Sequence, residues 1–357
     1  MRMKHIKRLF IILVSVAVFL TCETDPLTGK TTMALVSDSE LFKAAFSQYD
    51  EFLKENIVVD ETFTEANLKI RRNEAKKQLD EAQKKQNQDE ETKETIKNLQ
   101  YAIKNLEGAI TVASKPEDLA NVKKQAEMVK RLGEDIKNAA KRWYAYIGEP
   151  NYLNDYKWEY NLVFDKQVNA WCMPGGKIVV YTGILDVTEN EDALATVMGH
   201  EVAHALLNHG RQRVSAAYLQ QLGLAAASLT ASAMGADNKT SSLLLTALGV
   251  GSTLFGTLPF SRENESEADH YGLILMAIAG FDPEASVPFW RRMDALSGGT
   301  IEFLSTHPSS KTRANDLKNK SIPEAQRKAA KLHLDVAALK KEAILNAKET
   351  AAEVNNR

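Results

Sequence analysis

Apolar residues recur three and four positions apart through most of this chain, and this spacing predicts a mainly helical protein. One such helix is expected behind a Ser-x-x-Glu capping box at Ser37 and runs through Phe52, and a longer one is expected at 116–146. Between residues 158 and 181 the pattern changes to alternation, and a Pro-Gly-Gly turn at 174–176 separates two strands. The pattern therefore predicts an α+β fold that is predominantly α-helical, with a small antiparallel sheet.

Residues 61–114 differ from their surroundings because they are dense in charge and poor in glycine and proline. Apolar residues within 96–110 form a heptad seam, and a weaker seam runs through 68–82. The polar run 84–89 would be the turn between two antiparallel helices. We predict an inserted, charged helical hairpin that projects as either a solvated spacer or a docking arm for a protein partner.

Residues 1–22 have the layout of an export signal: a basic start, about a dozen apolar residues from Leu9 to Leu20, and then Cys22. The apolar run is too short to span a bilayer as a mature helix. We expect a bacterial lipoprotein signal that leaves Cys22 as the lipidated first residue. The predicted location is the cell envelope, facing the periplasm, with the outer membrane favoured. An ordinary cleaved signal or an uncleaved anchor is the alternative.

The composition is that of an ordinary globular protein, with 44% apolar and 26% charged residues in a chain of 357. A net charge of −2, without a basic cluster interleaved with aromatics, gives no case for nucleic-acid binding. The uncharged run from Ser241 to Phe260 reaches the length of a membrane span but is only mildly hydrophobic. We therefore expect it to be a core helix.

The first group of candidate catalytic residues is His200-Glu201-Val202-Ala203-His204, in a helix that is predicted to start near Asn190. Histidines four apart share a helix face and can reach one metal ion, and Glu201 can take a proton from the attacking water. This HExxH pattern predicts a zinc-dependent peptide hydrolase. The alternative is a buried helix that merely carries two histidines, but buried imidazoles and carboxylates need partners, which weakens it.

A catalytic zinc needs three protein ligands, and the acidic segment 261–270 is the best source of the third. Glu265 and Asp269 lie four apart on one helix face, so one can ligate while the other orients a ligating histidine. Glu267 points elsewhere on that helix. His209 falls about half a turn round the motif helix from His200, so we expect it to face away from the metal and to have a structural role.

His200-Glu201-x-x-His204 followed by Ser261-Arg262-x-x-Glu265-x-x-Ala268-Asp269 resembles the gluzincin family of HtpX and the CaaX prenyl endopeptidases. The lipoprotein start, Pro26-Leu27-Thr28-Gly29-Lys30 and the hairpin at 169–183 are more similar to its periplasmic branch, which includes BepA and LoiP. The resemblance covers 26–60 and about 115–320. It implies a zincin-like metallopeptidase domain with one Zn²⁺ per chain held by His200, His204 and Glu265, and with Asp269 behind the ligands.

A further element, His307-Pro308-x-x-x-x-Arg313, is similar to a His-Pro-x4-Arg element of the family, whose histidine lies near the metal. His307 has two open roles: it donates to the developing oxyanion, or it is a fourth ligand that closes the site until substrate arrives. A His-Pro turn that caps a helix is the structural alternative. Arg313 either stabilises charge in the site or pairs with an acid.

These residues together predict a zinc metalloendopeptidase in which Glu201 is the general base. The strand that begins at Gly176 would offer its edge to an extended peptide through Gly176, Lys177, Ile178, Val179 and Val180. Unfolded or misassembled envelope proteins, as substrates, come from the resemblance. The competing hypothesis is a chaperone-like envelope assembly factor with a latent or gated zinc site, whose helical arms bind partners.

The expected organisation has five parts. In chain order they are the signal (1–22), a tether with the first helix of the catalytic domain (23–60), the inserted hairpin (61–114), the zinc metallopeptidase domain (115–324) and a C-terminal helical tail (325–357).

Overall fold

The structure is a computed structural model that describes residues 22–85, 89–217, 219, 260–296, 301–307 and 313–333. Three predicted segments lie wholly or partly outside these residues: residues 1–21 of the signal, most of the uncharged run that ends at Phe260, and the C-terminal tail from residue 334. The principal helices are α1 (Asp38–Glu55), α2 (Glu65–Gln83), α3 (Glu90–Ala113), α4 (Pro116–Tyr146), α5 (Thr182–Thr188), α6 (Glu191–Leu206), α7 (Arg262–Ala279), α8 (Ser286–Leu296), α9 (Glu302–Thr306) and α10 (Arg313–Asp316).

The strands form two small sheets, which confirms the predicted α+β class. A two-stranded antiparallel sheet joins β1 (Cys22–Thr24) to β2 (Thr31–Met33). The second sheet has the order β3–β5–β4, with bounds Glu159–Val163, Lys177–Tyr181 and Ala170–Met173 respectively. None of the helices in the described part of the chain is long and apolar enough to cross a membrane.

The three-stranded sheet is mixed, and this overturns one predicted site. The hairpin β4–β5 is antiparallel as expected, but β3 adds to the other side of β5 in parallel. Both backbone edges of β5 are therefore used, and all of its residues are buried. The prediction that Gly176, Lys177, Ile178, Val179 and Val180 offer an edge to a peptide is wrong. The Lys177 side chain pairs with Glu159 at 2.8 Å and lies over the ring of Phe46, away from solvent.

Within the described residues, the free edge of this sheet belongs to β4. The outer edge of β3 is covered by residues 57–59, where Phe164 N–H donates to Ile57 O at 2.7 Å and Val59 N–H to Leu162 O at 2.8 Å. The alternation of side chains marks a strand but carries no information about its neighbours, so the parallel addition of β3 could not be read from it.

The hairpin of α2 and α3 is docked on the body of the protein. Leu68 and Leu106 join the main hydrophobic core, since both are buried in the same cluster as the motif helix. Earlier in α3, Tyr101 Oη donates to Asp165 Oδ1 at 2.6 Å, and Asn105 donates to Asp165 Oδ2 at 2.7 Å. Asp165 lies in the loop between β3 and β4, so these bonds fix α3 beside the sheet.

The motif helix α6 packs backbone to backbone on α7. A Cβ atom on Gly199 would lie 2.7 Å from the carbonyl oxygen of Gly272, so only glycine lets the two helices approach so closely. Each helix begins at a side-chain cap: Asn190 accepts from Ala193 N–H at 2.9 Å, and Ser261 accepts from Asn264 N–H at 3.1 Å. This contact brings the histidines of α6 to the carboxylates of α7.

Candidate metal centre

Four side chains from three helical elements converge beside a cleft. His200 and His204 come from α6, Glu265 from α7, and His307 follows α9. One ligand atom from each lies within 4.8 Å of the others, and all four residues are buried. The sequence motifs predicted all four of these residues near one another, and the structure brings them together.

The atoms of this cluster fit a bound cation. Nε2 of His200 lies 3.0 Å from Nε2 of His204, and Nδ1 of His307 lies 3.0 Å from Oε1 of Glu265. The other oxygen, Oε2 of Glu265, is buried and has no hydrogen-bond partner among the described residues. Converging imidazole nitrogens and a buried carboxylate oxygen are the donors that Zn²⁺ prefers, so the residues present fit this ion.

The charges of the cluster support the same conclusion. Burial alone would raise the pKa of Glu265, but its contacts with His200, His204 and His307 hold that pKa well below the usual range. Burial also lowers the pKa of His204 well below the ordinary value of an imidazole. Glu265 is thus an anion and His204 is neutral, which are the protonation states of metal ligands. Burial would lower the pKa of His200, but hydrogen bonds to Asp269 and Glu265 raise this pKa to about 9, so the imidazole would release a proton when it binds an ion.

Asp269 and Arg313 form the support behind His200. Asp269 Oδ1 lies 3.0 Å from Nδ1 of His200, on the side of the ring away from the cluster. Arg313 donates to both carboxylate oxygens of Asp269 at 2.6 Å and stacks on Trp290, with Cζ 3.3 Å from the ring centroid. Of the two roles open to Arg313, pairing with an acid is the one that its contacts favour.

Glu201 lies beside the cluster and lines the cleft. It is buried, and its Oε1 has no hydrogen-bond partner among the described residues, although it lies 3.5 Å from Nε2 of His307. Burial raises the pKa of the Glu201 carboxyl, an effect that the charges of His307 and His200 oppose. A carboxylate with a raised pKa and a free oxygen is suited to accept a proton.

His209 contacts the cluster in a way that the sequence reasoning missed. The prediction extended α6 through His209, but the helix ends at Leu206 and Asn208 adopts a left-handed conformation with φ of 55°. The chain therefore turns back, and Nδ1 of His209 lies 2.9 Å from Nδ1 of His204. The predicted structural role of His209 agrees with its absence from the four clustered ligands, but its ring contacts the ligand His204 instead of turning away from it. The sequence did contain a signal for this helix end, because asparagine is one of the residues that often adopt the left-handed conformation just after a helix.

A cleft of about 910 Å³ leads to the site. Glu201, His204 and His307 line it, together with residues of the edge strand β4 and of the helices α1 and α3. Tyr181 N–H donates to Asn169 O, so by the alternation of an antiparallel ladder the N–H and C=O of Cys172 point outward from the free edge. The Glu201 carboxylate accepts a hydrogen bond from the backbone N–H of Cys172, so this outward group of β4 is already paired beside the cluster.

Comparison with known families decides the class of protein. A sequence profile described as Peptidase family M48 matches residues 131–321, more than half of the 357 residues. The chain belongs to peptidase family M48. The matched region includes α6, α7 and both His307 and Arg313. The predicted membership of a zinc metalloendopeptidase family is therefore confirmed.

Individual relatives share this region. The chain is 42% identical over 182 residues to the mitochondrial metalloendopeptidase OMA1 of Schizosaccharomyces pombe, covering 49% of each protein. It is 34% identical over 182 residues to the human metalloendopeptidase OMA1, covering 48% of this chain and 34% of that protein. It is 29% identical over 167 residues to the beta-barrel assembly-enhancing protease of Escherichia coli, covering 45% and 34%.

The chain spans about half or less of the length of these relatives. These relatives include mitochondrial proteins as well as a bacterial one. The comparisons therefore support membership of the family but do not assign the chain to the predicted lipoprotein branch.

Proposed function

We propose that this protein is a zinc-dependent endopeptidase that hydrolyses extended segments of unfolded or misassembled cell-envelope proteins. The observation that carries the proposal is the buried cluster of His200, His204, Glu265 and His307, whose ligand atoms lie within 4.8 Å of one another beside a cleft. A catalytic base without a hydrogen-bond partner at Oε1, Glu201, lies beside it.

His200, His204 and Glu265 would hold the ion. The chemistry that zinc supplies in such a ligand set is polarisation of the scissile carbonyl and acidification of water. Glu201 accepts the proton of the attacking water and returns it to the leaving amine, a role suited to a carboxyl whose pKa burial raises. His307, with Nε2 3.5 Å from Glu201 Oε1, either donates to the oxyanion or closes the cluster as a fourth ligand.

The substrate binds along β4 in this proposal. A peptide in extended conformation would add a strand beside β4 without selecting side chains. It would pair with outward groups such as the C=O of Cys172, whose N–H is bonded to Glu201. Trp171 of β4 and Phe52 of α1, whose ring centroids are 4.9 Å apart, line the cleft and offer an apolar surface to substrate side chains. Such a site suits segments that have lost their folded structure.

We place the protein in the bacterial cell envelope, on the periplasmic side of a membrane and more specifically of the outer membrane, with a lipid at Cys22. The export-signal layout of residues 1–22 supports this placement, as does the exposure of Cys22 at the start of β1. A Cys22→Ser variant should move from the membrane fraction to the soluble fraction. Continued membrane association of this variant would contradict a lipid anchor.

The test of the activity compares the parent with Glu201→Gln. The parent should bind one zinc per chain and cleave casein, whereas Glu201→Gln should bind zinc equally but lose cleavage. The exposed Glu284→Gln serves as a matched control that should cleave like the parent. Undiminished cleavage by Glu201→Gln would remove the proposed base. Metal-independent client binding without any cleavage would favour the competing assembly-factor hypothesis, for which the burial of all four clustered side chains is the structural argument.

A further inference from the structure

A chain of polar contacts runs from the cluster to the N-terminal turn. Nδ1 of His204 lies 2.9 Å from Nδ1 of His209, and Nε2 of His209 lies 3.3 Å from Oε2 of Glu267. Glu267 in turn pairs with Lys30. The four side chains come from α6, the segment after it, α7 and the turn between β1 and β2. The contacts therefore connect distant parts of the sequence.

The positions of the hydrogens follow from the geometry. Nε2 of His204 faces the cluster, 3.3 Å from Oε1 of Glu265 and 3.0 Å from Nε2 of His200. A neutral imidazole whose Nε2 is a ligand carries its hydrogen on Nδ1, so His204 donates from Nδ1 to Nδ1 of His209. His209 then carries its own hydrogen on Nε2 and donates it to Glu267. Both contacts are hydrogen bonds in this arrangement of tautomers.

His204 is held tightly in this orientation. The His209 side chain has no exposed surface, and the ring of Phe260 stacks on His204 with centroids 4.1 Å apart. The left-handed turn at Asn208 aims His209 back at His204, and Asn208 itself donates to Tyr152 Oη at 3.0 Å. The position of His209 is thus set by packing and by its own turn.

The far end of the chain of contacts is fixed to α7. Lys30 Nζ lies 2.6 Å from Oε1 of Glu263 and also pairs with Glu267, so it compensates the charge of the carboxylate that receives the hydrogen bond. Tyr271 Oη donates to Leu27 O at 3.4 Å, which attaches the same turn one helical turn further along α7. The N-terminal turn is therefore part of the support of the site.

We propose that His209 is a positioning residue of the metal centre, which fixes the tautomer and orientation of His204 and is itself held by Glu267 and Lys30. The inference rests on the zinc site proposed above. In this proposal each histidine ligand is supported by a carboxylate of α7. Asp269 contacts His200 directly, whereas Glu267 acts on His204 through the imidazole of His209. Supports of this kind commonly change metal affinity by about 10- to 100-fold when removed.

The experiment measures zinc affinity of the full chain by competition with a chromophoric chelator, for the parent and for His209→Phe, His209→Gln, Glu267→Gln and Lys30→Met. His209→Phe keeps a ring but removes the acceptor, so its affinity should fall about 10- to 100-fold. His209→Gln should retain part of the affinity because an amide oxygen can still accept from His204. Glu267→Gln and Lys30→Met should weaken zinc binding by smaller factors. Glu267→Gln should add little to His209→Phe, because both act through one chain of bonds.

The matched control is His270→Gln, also on α7, whose imidazole contacts Ser321 instead of the cluster. The visible absorption of the Co²⁺-substituted protein gives a second readout, which should change in His209→Phe and stay unchanged in His270→Gln. If His209→Phe fails to fold, as judged by thermal unfolding without metal, Glu267→Gln decides the question. Zinc affinities within twofold of the parent, together with an unchanged Co²⁺ spectrum, would overturn the inference while leaving the zinc site in place. A parent chain that binds no zinc would overturn the proposed function and this inference together.

Discussion

Arg313 donates two hydrogen bonds to Asp269, from Nε to Oδ2 and from Nη2 to Oδ1, and both are 2.6 Å long. Both residues are buried. The same Oδ1 of Asp269 lies 3.0 Å from Nδ1 of His200. The guanidinium therefore orients the carboxylate, and the carboxylate orients the ligand. Burial would raise the pKa of Asp269, but Arg313 and His200 hold it below its usual value, so the carboxylate remains charged.

Replacing Arg313 should damage both the fold and the metal site. Arg313→Met leaves the buried Asp269 charge without its partner, which typically costs about 3–5 kcal/mol in the free energy of unfolding. Arg313→Lys cannot reproduce the two-pronged geometry, so it should recover stability only in part. Zinc affinity should fall with Arg313→Met by about 10- to 100-fold. Denaturant unfolding and chelator competition measure the two effects.

The exposed Arg291→Met on α8 is the control for the loss of an arginine, and it should change neither quantity. An unchanged unfolding free energy in Arg313→Met would show that the buried pair contributes nothing to stability.

His307 should slow peptide cleavage by occupying a position on the metal when no substrate is bound. Its Nδ1 lies 3.0 Å from Glu265 Oε1, and it belongs to the same four-residue cluster as the proposed ligands. We expect His307→Ala to keep zinc on His200, His204 and Glu265 and to increase the cleavage of a fluorogenic peptide. Initial rates, normalised to zinc content, measure the effect. Slower cleavage with zinc retained would instead assign His307 to the oxyanion.

Gly272 should be intolerant of any side chain. A Cβ atom there would lie 2.7 Å from the backbone nitrogen of His200, so Gly272→Ala must push α7 away from α6. Overpacking of this kind costs about 1–3 kcal/mol in stability, and zinc affinity should fall because Glu265 moves away from the histidines. Thermal unfolding with and without zinc measures both effects.

Gly108→Ala is the matched control for Gly272→Ala. A Cβ on Gly108 would meet only the Phe164 ring at an ordinary 3.5 Å, and alanine in a helix interior is favoured by about 1 kcal/mol over glycine. Equal behaviour of the two variants would contradict the close helix contact.

Tyr101→Phe should loosen the wall of the cleft formed by α3. It removes the hydroxyl that donates to the buried carboxylate of Asp165, and a bond to a charged group is worth about 1.5–3 kcal/mol. Because Tyr101 is 42% exposed, we expect the lower end of this range in the unfolding free energy. KM for a peptide should rise, since Glu94 and Asn98 of α3 line the cleft.

The control is Tyr146→Phe, since that ring is 46% exposed at the end of α4. The unfolding free energy and KM of this control should match those of the parent. Equal values for Tyr101→Phe and the parent would mean that α3 stays in place without its bond to Asp165.

Much of the site could be predicted because its residues are spaced by helical periodicity. His200 and His204 lie four apart on α6, Glu265 and Asp269 four apart on α7, and each pair occupies one helix face. The resemblance to a family supplied the roles of Glu265 and Asp269, and pointed to His307. These inferences needed no knowledge of how the helices pack.

The features that sequence reasoning missed depend on non-local pairing or on a single backbone angle. The sequence pattern suggested that β5 lies at the edge of the sheet and can pair with a substrate, but β3 pairs with that edge. The alternation of residues 159–163 does not specify which strand β3 pairs with. His209 was assigned the wrong direction because one left-handed residue, Asn208, ends the helical geometry before it. The docking of α3 by Asp165 depends in the same way on a contact between residues 64 positions apart.

The close contact between Gly199 and Gly272 links metal binding to the stability of the fold. His200 and His307 are separated by 107 positions, so the ion is held only when distant stretches of chain are already assembled around the glycine contact. Bound metal then adds to the free energy of unfolding by an amount that grows with the free zinc concentration. In zinc-poor surroundings the protein would therefore lose the ion and part of its stability together, and digestion by added protease would become faster.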